Sequence, residues 1–186
     1  MQLNDQSVLL KQCSDKRFQA FGTGKIFERR VKRLERRRNW ITYLGIAVPL
    51  LVGSLGLSFG GNWVKYLAVP AGIAAAIQLI LSLWSLVARW DDKYVYAVSA
   101  MQAQTKLFNS WDFLAKRQPA NLEQRIDDLA AEDQRQETSD IAQGILPEEK
   151  RFAMRAALYH YGLVCLACKI QPPSMKASKC DTCGNF

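Results

Sequence analysis

Two stretches without a charged residue lie almost back to back in this chain of 186 residues, at 41–64 and 66–88, with Lys65 between them. About 20 apolar residues let one helix cross a bilayer core of about 30 Å, so each stretch is long enough for a span. The rest of the chain is too small and too polar to cover two apolar helices. The pattern therefore predicts an all-α membrane protein with a transmembrane hairpin, its spans at about 41–62 and 66–88.

The distribution of basic residues predicts the orientation of this hairpin. Seven of the lysines and arginines lie between Arg29 and Arg38, directly before the first stretch, and the short turn around Gly60 has only Lys65 near it. Because basic residues stay on the cytoplasmic side, both termini are expected in the cytoplasm. A basic segment beside a span is expected to contact inner-membrane lipids, and no direct DNA binding is expected.

The chain then divides into four parts: a basic N-terminal helix at 1–39, the transmembrane hairpin at 40–89, a cytoplasmic helical domain at 90–162 and a cysteine-rich tail at 163–186. The cytoplasmic part shows helical spacing of apolar residues and no strand pattern. A helix is predicted from Trp90 to about Arg117, because Pro119 follows.

Two more helices are predicted in the cytoplasmic part. One covers about 121–143, although its apolar pattern is lost beyond Glu132 and a mobile stretch is expected there. The other begins at Pro147, where a proline and two glutamates favour a helix start, and runs to about Tyr161.

The cysteine tail contains the sharpest chemical motif of the sequence. Cys165 and Cys168 form one CxxC pair, eleven residues follow, and Cys180 and Cys183 form a second pair. Four thiolates at this spacing are typical of a tetrahedral zinc site, and a site closed by four cysteines is normally structural. Two disulfides are disfavoured by the reducing compartment that the orientation implies, and a redox switch would need only one pair. The tail is therefore predicted to be a small zinc-ribbon-like knuckle that holds a structural Zn²⁺.

Polar residues in the second uncharged stretch raise the question of a pore. Gln78, Ser82 and Ser85 are spaced i, i+4 and i+7, so they share one helical face. Polar side chains in a membrane are candidates for function by default. They are pore-lining candidates in an oligomer, and a hydrogen-bonded seam between helices explains them equally well.

Enzyme chemistry has little support in the sequence. His160 is the one histidine, no serine–histidine or paired-carboxylate arrangement is evident, and no GxxxxGK phosphate loop is present. The expectation is that the chain is not an enzyme.

Taken together, the residues resemble a known family. The two uncharged stretches, a long helix with Trp90, Tyr94 and Trp111, and the CxxC-x11-CxxC tail resemble the small bacterial mobilome proteins named for this cysteine pattern. That group is similar to the two-transmembrane SLATT effectors of nucleotide-second-messenger defence systems. The cysteine arrangement is the specific part of the resemblance, whereas the two spans are generic.

The resemblance implies an anti-phage effector in the bacterial inner membrane. Such an effector would form a homo-oligomeric channel, for example a tetramer, gated by a nucleotide signal from a partner nucleotidyltransferase, and it would cause abortive infection. The alternative is a membrane-tethered, zinc-containing binding module that recruits a protein or nucleic acid without transport. The sequence offers no residues for the nucleotide-binding site.

Overall fold

The computed structural model describes residues 2–59 and 61–186; the side chains of residues 2–5, 52, 55–59, 61–65, 67–68 and 85–86 lie outside this description. Within it the chain forms five helices and no strand: α1 (Gln2–Phe59), α2 (Gly61–Val87), α3 (Trp90–Arg117), α4 (Leu122–Ile141) and α5 (Pro147–Tyr161). Gly60, in the predicted turn, is outside the described residues.

The ends of α3 and α5 follow the capping signals of the sequence. Helix α3 has Asp91 and Asp92 in its first turn and Lys116 and Arg117 in its last, where each charge opposes the helix dipole. Helix α5 begins with a proline, and the Glu149 carboxylate accepts the Leu146 backbone N–H at 3.0 Å. It ends at Gly162, whose φ of 65° is a left-handed conformation that suits glycine.

The chain forms two compact units. Unit 1 contains Met1–Arg29 and Ala97–Phe186, and unit 2 contains Arg30–Tyr96. The main core of unit 1 joins the beginning of α1 with α3 and α4, and its buried members are Cys13, Ala20, Leu107, Trp111, Leu114, Leu122 and Ile126. Leu107, Trp111 and Leu114 come from α3, and Phe108 of the same helix packs against this core.

Polar contacts in unit 1 explain why α4 stays helical where a mobile stretch was expected. Its second half carries two buried carboxylates. Asp133 accepts a hydrogen bond from Lys16 Nζ at 2.6 Å, and Asp140 accepts one from Gln104 Nε2 at 2.7 Å. These partners come from α1 and α3, so the polar sequence of α4 is ordered by long-range contacts.

Unit 2 contains the end of α1, all of α2 and the first turns of α3. A Cβ atom added to Gly45 would lie 3.0 Å from Gln78 Nε2, so this glycine allows α1 and α2 to approach closely. Arg38 Nε forms an ion pair of 2.9 Å with Asp91, and the Arg37 guanidinium lies 5.4 Å from the centre of the Trp90 ring. These contacts join α1 to α3.

The structure corrects the predicted transmembrane hairpin. Among the described residues, no helix combines the length and the apolar character needed to cross a bilayer. The prediction rested on the absence of charge, which is a weaker criterion than sustained apolarity. The first stretch contains Gly45, Pro49, Gly53 and Ser54, and its residues 41–59 are the end of α1, whose earlier part is strongly basic.

Two further predictions depended on the spans and are corrected with them. The fold class is an all-α arrangement of five described helices with a four-cysteine cluster, and the assignment as a membrane protein was wrong. The location in the bacterial inner membrane, with both termini in the cytoplasm, was derived from the same spans and is wrong for the same reason.

Candidate metal centre

The four cysteines of the tail meet at one point. The Sγ atoms of Cys165, Cys168, Cys180 and Cys183 all lie within 4.8 Å of one another, and those of Cys168 and Cys183 are 3.9 Å apart. A tetrahedral ion with metal–sulfur bonds of about 2.3 Å would place its sulfurs about 3.8 Å apart. The cluster therefore fits a single four-coordinate metal ion.

The same distances show that the four cysteines do not form a pair of disulfides. All four cysteines are free thiols, and the separation of the Cys168 and Cys183 sulfurs is well above the bond length of about 2.05 Å in a disulfide. Both pairs converge on one centre, as a shared ion requires.

Each CxxC pair is folded by the same backbone hydrogen bond. The Lys169 N–H donates to the Cys165 carbonyl at 2.8 Å, and the Gly184 N–H donates to the Cys180 carbonyl at 2.8 Å. The tight turn of the first pair brings Lys169 to a φ of 58°, a left-handed conformation that is uncommon outside glycine. These turns direct both thiols of a pair to the same side.

The turns also prepare individual thiols for deprotonation. Backbone N–H groups of Thr182 and Cys183 lower the pKa of Cys180 to about 7. Burial raises the pKa of Cys165, but backbone N–H groups of Cys168 and Ala167 outweigh it, so its pKa is lowered. Metal ligands must be thiolates, so lowered pKa values favour metal binding near neutral pH.

The pKa of Cys183 is shifted in the opposite direction and is raised. Burial is the first cause that raises its pKa, and the neighbouring thiols add to the effect. A buried thiolate among three other sulfurs is costly unless a cation compensates its charge. Its environment therefore matches a residue whose charge is neutralised by a bound ion.

The cluster packs on α5 through a small apolar core. Cys165, Cys183 and Leu158 are its buried members, and Phe18 of α1 and Met154 of α5 pack against it. The centre is thus attached to unit 1 and is not carried on a separate tail.

Arg155 is a further attachment and is itself buried, at 5% exposure. Its Nε donates to the Ser174 carbonyl at 2.9 Å, and its Nη1 lies 3.2 Å from Ser178 Oγ and 3.3 Å from the Cys183 carbonyl. One side chain of α5 therefore holds both the segment between the two pairs and the second pair itself.

Gly184 makes the close packing of the second pair possible. A Cβ atom at this position would overlap Ser178, coming within 2.7 Å of its carbonyl oxygen. The Ser178 N–H in turn donates to the Gly184 carbonyl at 2.9 Å. Only a residue without a side chain fits here while the pairing is kept.

The sequence motif revealed the four cysteines but not Arg155 or Ser178. The available signal for Arg155 was its position between the apolar residues Ala153 and Ala156.

The predicted pore-lining residues belong to α2, in unit 2. Gln78 and Ser82 are half-buried in unit 2, and the side chain of Ser85 lies outside the described residues. Their assignment depended on a span through the membrane, which the described helices do not provide. His160 lies near the tail but is exposed, and its ring stacks on Phe21 with centroids 4.2 Å apart.

The structure thus shows a group of four cysteines that is able to hold a metal ion. Its four protein donors leave no open coordination position, which is the pattern of a structural site. Zinc as the ion stays a prediction, because a tetrahedral set of four thiolates also suits iron.

Comparison with known proteins gives a match over most of the chain. No curated protein and no solved structure matches it. A family model described as "mobilome CxxCx(11)CxxC protein" matches residues 10–186. The four cysteines of this pattern are the ones that form the cluster in the tail. The further similarity to SLATT effectors stays a prediction. The chain belongs to the mobilome CxxCx(11)CxxC protein family.

Proposed function

We propose that this family member is a binding module without enzymatic activity, whose tail is folded by a structural zinc ion. The observation that carries the proposal is the closed cluster of four thiols packed on α5. Such a site supplies folding energy to a segment too short to form its own core.

The surface of the first cysteine pair supports a role in binding. Leu163, Val164, Leu166 and Ile170 are neighbours of this pair in the sequence and are exposed, Leu166 to 85%. Contiguous exposed apolar side chains on a rigid surface are a common mark of an interaction site. A metal that fixes these side chains in place would prepare the surface for a partner.

The first test is the identity of the metal and its effect on the tail. Elemental analysis of the purified full-length protein should find one zinc per chain. Removal of the zinc with a chelator should expose residues 163–186 to a protease while α3–α5 stay protected. The Cys13→Ala variant is the matched control, because this buried cysteine lies outside the cluster and its loss should leave the zinc content unchanged.

Two results would contradict the proposal. One is a purified chain that contains iron or no metal. The other is a tail whose protease sensitivity does not change when zinc is removed.

Anti-phage defence, as the SLATT resemblance implies, stays a prediction about the biological setting of such a module. It can be tested by phage challenge of bacteria that carry the native gene or the Cys168→Ser variant. A channel is not proposed.

A further inference from the structure

A basic surface lies outside the metal centre, on the part of α1 that belongs to unit 2. A groove of about 570 Å³ runs along this surface, and we call it the basic–aromatic groove; it is lined by Lys32, Glu35, Arg36, Asn39, Trp40 and Tyr43. We propose that the basic–aromatic groove binds single-stranded nucleic acid, with the cations on phosphates and the rings stacked on bases. The groove contains none of the apolar residues around the first cysteine pair, so this inference goes beyond the proposed function.

Helix geometry places the cations and the rings on one face. Lys32, Arg36 and Trp40 follow one another at i, i+4 and i+8, and Tyr43 is three residues further on. At a rise of about 1.5 Å per residue, successive members of this series are about 6 Å apart. This is the scale of one nucleotide, so neighbouring side chains of the groove can contact neighbouring units of one strand.

The rings of the groove are available for stacking. Trp40 is 60% exposed and Tyr43 is 64% exposed. Their planes meet at 88° with centroids 6.2 Å apart, an edge-to-face contact that leaves part of each ring surface uncovered. Large aromatic rings this exposed beside cations are the pattern of a stacking platform for bases.

The cations of this helix divide into two groups. Arg37 and Arg38 contact the first turns of α3 and support the helix. Arg36 faces the groove, is exposed and forms no ion pair among the described residues. Glu35 is the one acidic residue of the groove lining, so the groove keeps a positive charge that favours phosphates.

A lipid surface fits this arrangement less well. Helices that lie on a membrane separate their cations and their large apolar residues onto opposite faces. Here the cations and the aromatic rings share one groove. The preference for lipid in the sequence depended on adjacent spans, and these are absent from the described helices.

The test is fluorescence anisotropy of the full-length, zinc-loaded protein with labelled oligothymidylate and oligouridylate. Arg36→Ala should weaken binding and lower the slope of log Kd against log salt by about 0.7, the value for one phosphate contact to a single strand. Trp40→Ala should weaken binding by about 5- to 150-fold, the range for loss of one stacked base, and Trp40→Phe should restore most of it. Arg135→Ala is the charge-matched control, since Arg135 is exposed on α4 and outside the groove.

The outcomes distinguish a failure of this proposal from a failure of the proposed function. A preference for one of the two oligonucleotides tells DNA from RNA as the source of the strand. Zinc-loaded protein that binds neither oligonucleotide, or binds duplex DNA as tightly as single strands, overturns the groove assignment and leaves the zinc-folded module intact. Binding to phosphatidylglycerol vesicles without binding to oligonucleotides overturns it in favour of lipid. Absence of zinc from the native chain contradicts the proposed function, whatever the groove binds.

Discussion

The Arg155 Nη1 atom lies 3.3 Å from the carbonyl oxygen of Cys183, so a buried cation on α5 contacts the backbone of a candidate metal ligand. The same side chain also reaches Ser174 and Ser178. The cluster is thus supported from outside by a residue that offers no ligand atom, and groups of this kind orient metal ligands.

Replacement of Arg155 should therefore weaken the metal centre. Arg155→Ala removes three hydrogen bonds from the backbone and side chains around the second cysteine pair, and we expect zinc affinity to fall about 10- to 100-fold. Competition with a chromophoric chelator measures the change. Arg135→Ala is the matched control on an exposed helix face, and an equal effect of both variants would refute a specific role for Arg155.

Gly184→Ala adds only one methyl group, but it should strongly disturb the second cysteine pair. The new Cβ would collide with Ser178, and backbone atoms cannot move aside as a flexible side chain can. We expect a clear loss of zinc affinity in the same competition assay. Gly53→Ala is the control, because nothing lies within 4 Å of its added Cβ and alanine is favoured in a helix by up to about 1 kcal/mol. A Gly184→Ala protein with native affinity would mean that the packing around Ser178 is looser than described.

Loss of one ligand should release the tail without unfolding the helices. The core of α1, α3 and α4 contains none of the four cluster cysteines, so Cys168→Ser should keep its helical circular dichroism. With cobalt in place of zinc, the native chain should show the thiolate charge-transfer absorption of a four-cysteine site, and the variant should lose most of it. Loss of helix content in Cys168→Ser would show that the metal supports the whole of unit 1.

The metal motif and most helix boundaries could be predicted because their causes are local. The CxxC pairs, the acidic start and basic end of α3, and Pro147 at the start of α5 each act within a few residues. The second half of α4 could not, since its helix depends on Lys16 and Gln104 from distant segments. Arg155 was missed for the same reason: its partners lie 19 or more residues further along the chain.

The error over the spans has a different origin. Freedom from charge is easily read from a sequence, but a span also requires a helix that is apolar over about 20 residues. Pro49 and Pro70 lie inside α1 and α2, and neither helix meets the requirement within its described residues. The lipid partner expected for the basic segment stays a prediction.

Asp112 should make the stability of unit 1 sensitive to acid. The hydrogen bond from Lys116, aided by Arg17 and opposed by partial burial, holds the pKa of Asp112 below its ordinary value of 3.8. A carboxylate with a lowered pKa stabilises the fold above its unfolded pKa, and this contribution is lost as the pH falls through the folded value. Asp112→Asn should therefore cost about 1 kcal/mol at pH near 7, and the difference from the native chain should disappear below about pH 3.

Urea unfolding at both pH values measures the effect of Asp112, with a chelator present so that metal release does not contribute. Asp128→Asn serves as control, because Asp128 is an exposed aspartate of α4. A difference between the native chain and Asp112→Asn that stays constant down to low pH would contradict the assignment to the ionised carboxylate.

Trp111 provides the sharpest test of the core of unit 1. It is fully buried beside Leu107 and Ile126, and its indole N–H has no hydrogen-bond partner among the described residues. Trp111→Ala should cost about 3–5 kcal/mol of unfolding free energy, as truncation of a large core side chain does. Trp111→Phe should cost much less, because it fills most of the space and removes an unsatisfied donor worth about 1–3 kcal/mol. Guanidinium unfolding followed by circular dichroism gives both values, with the exposed Trp84→Phe as control; equal losses for the alanine and phenylalanine variants would show that the indole N–H is satisfied after all.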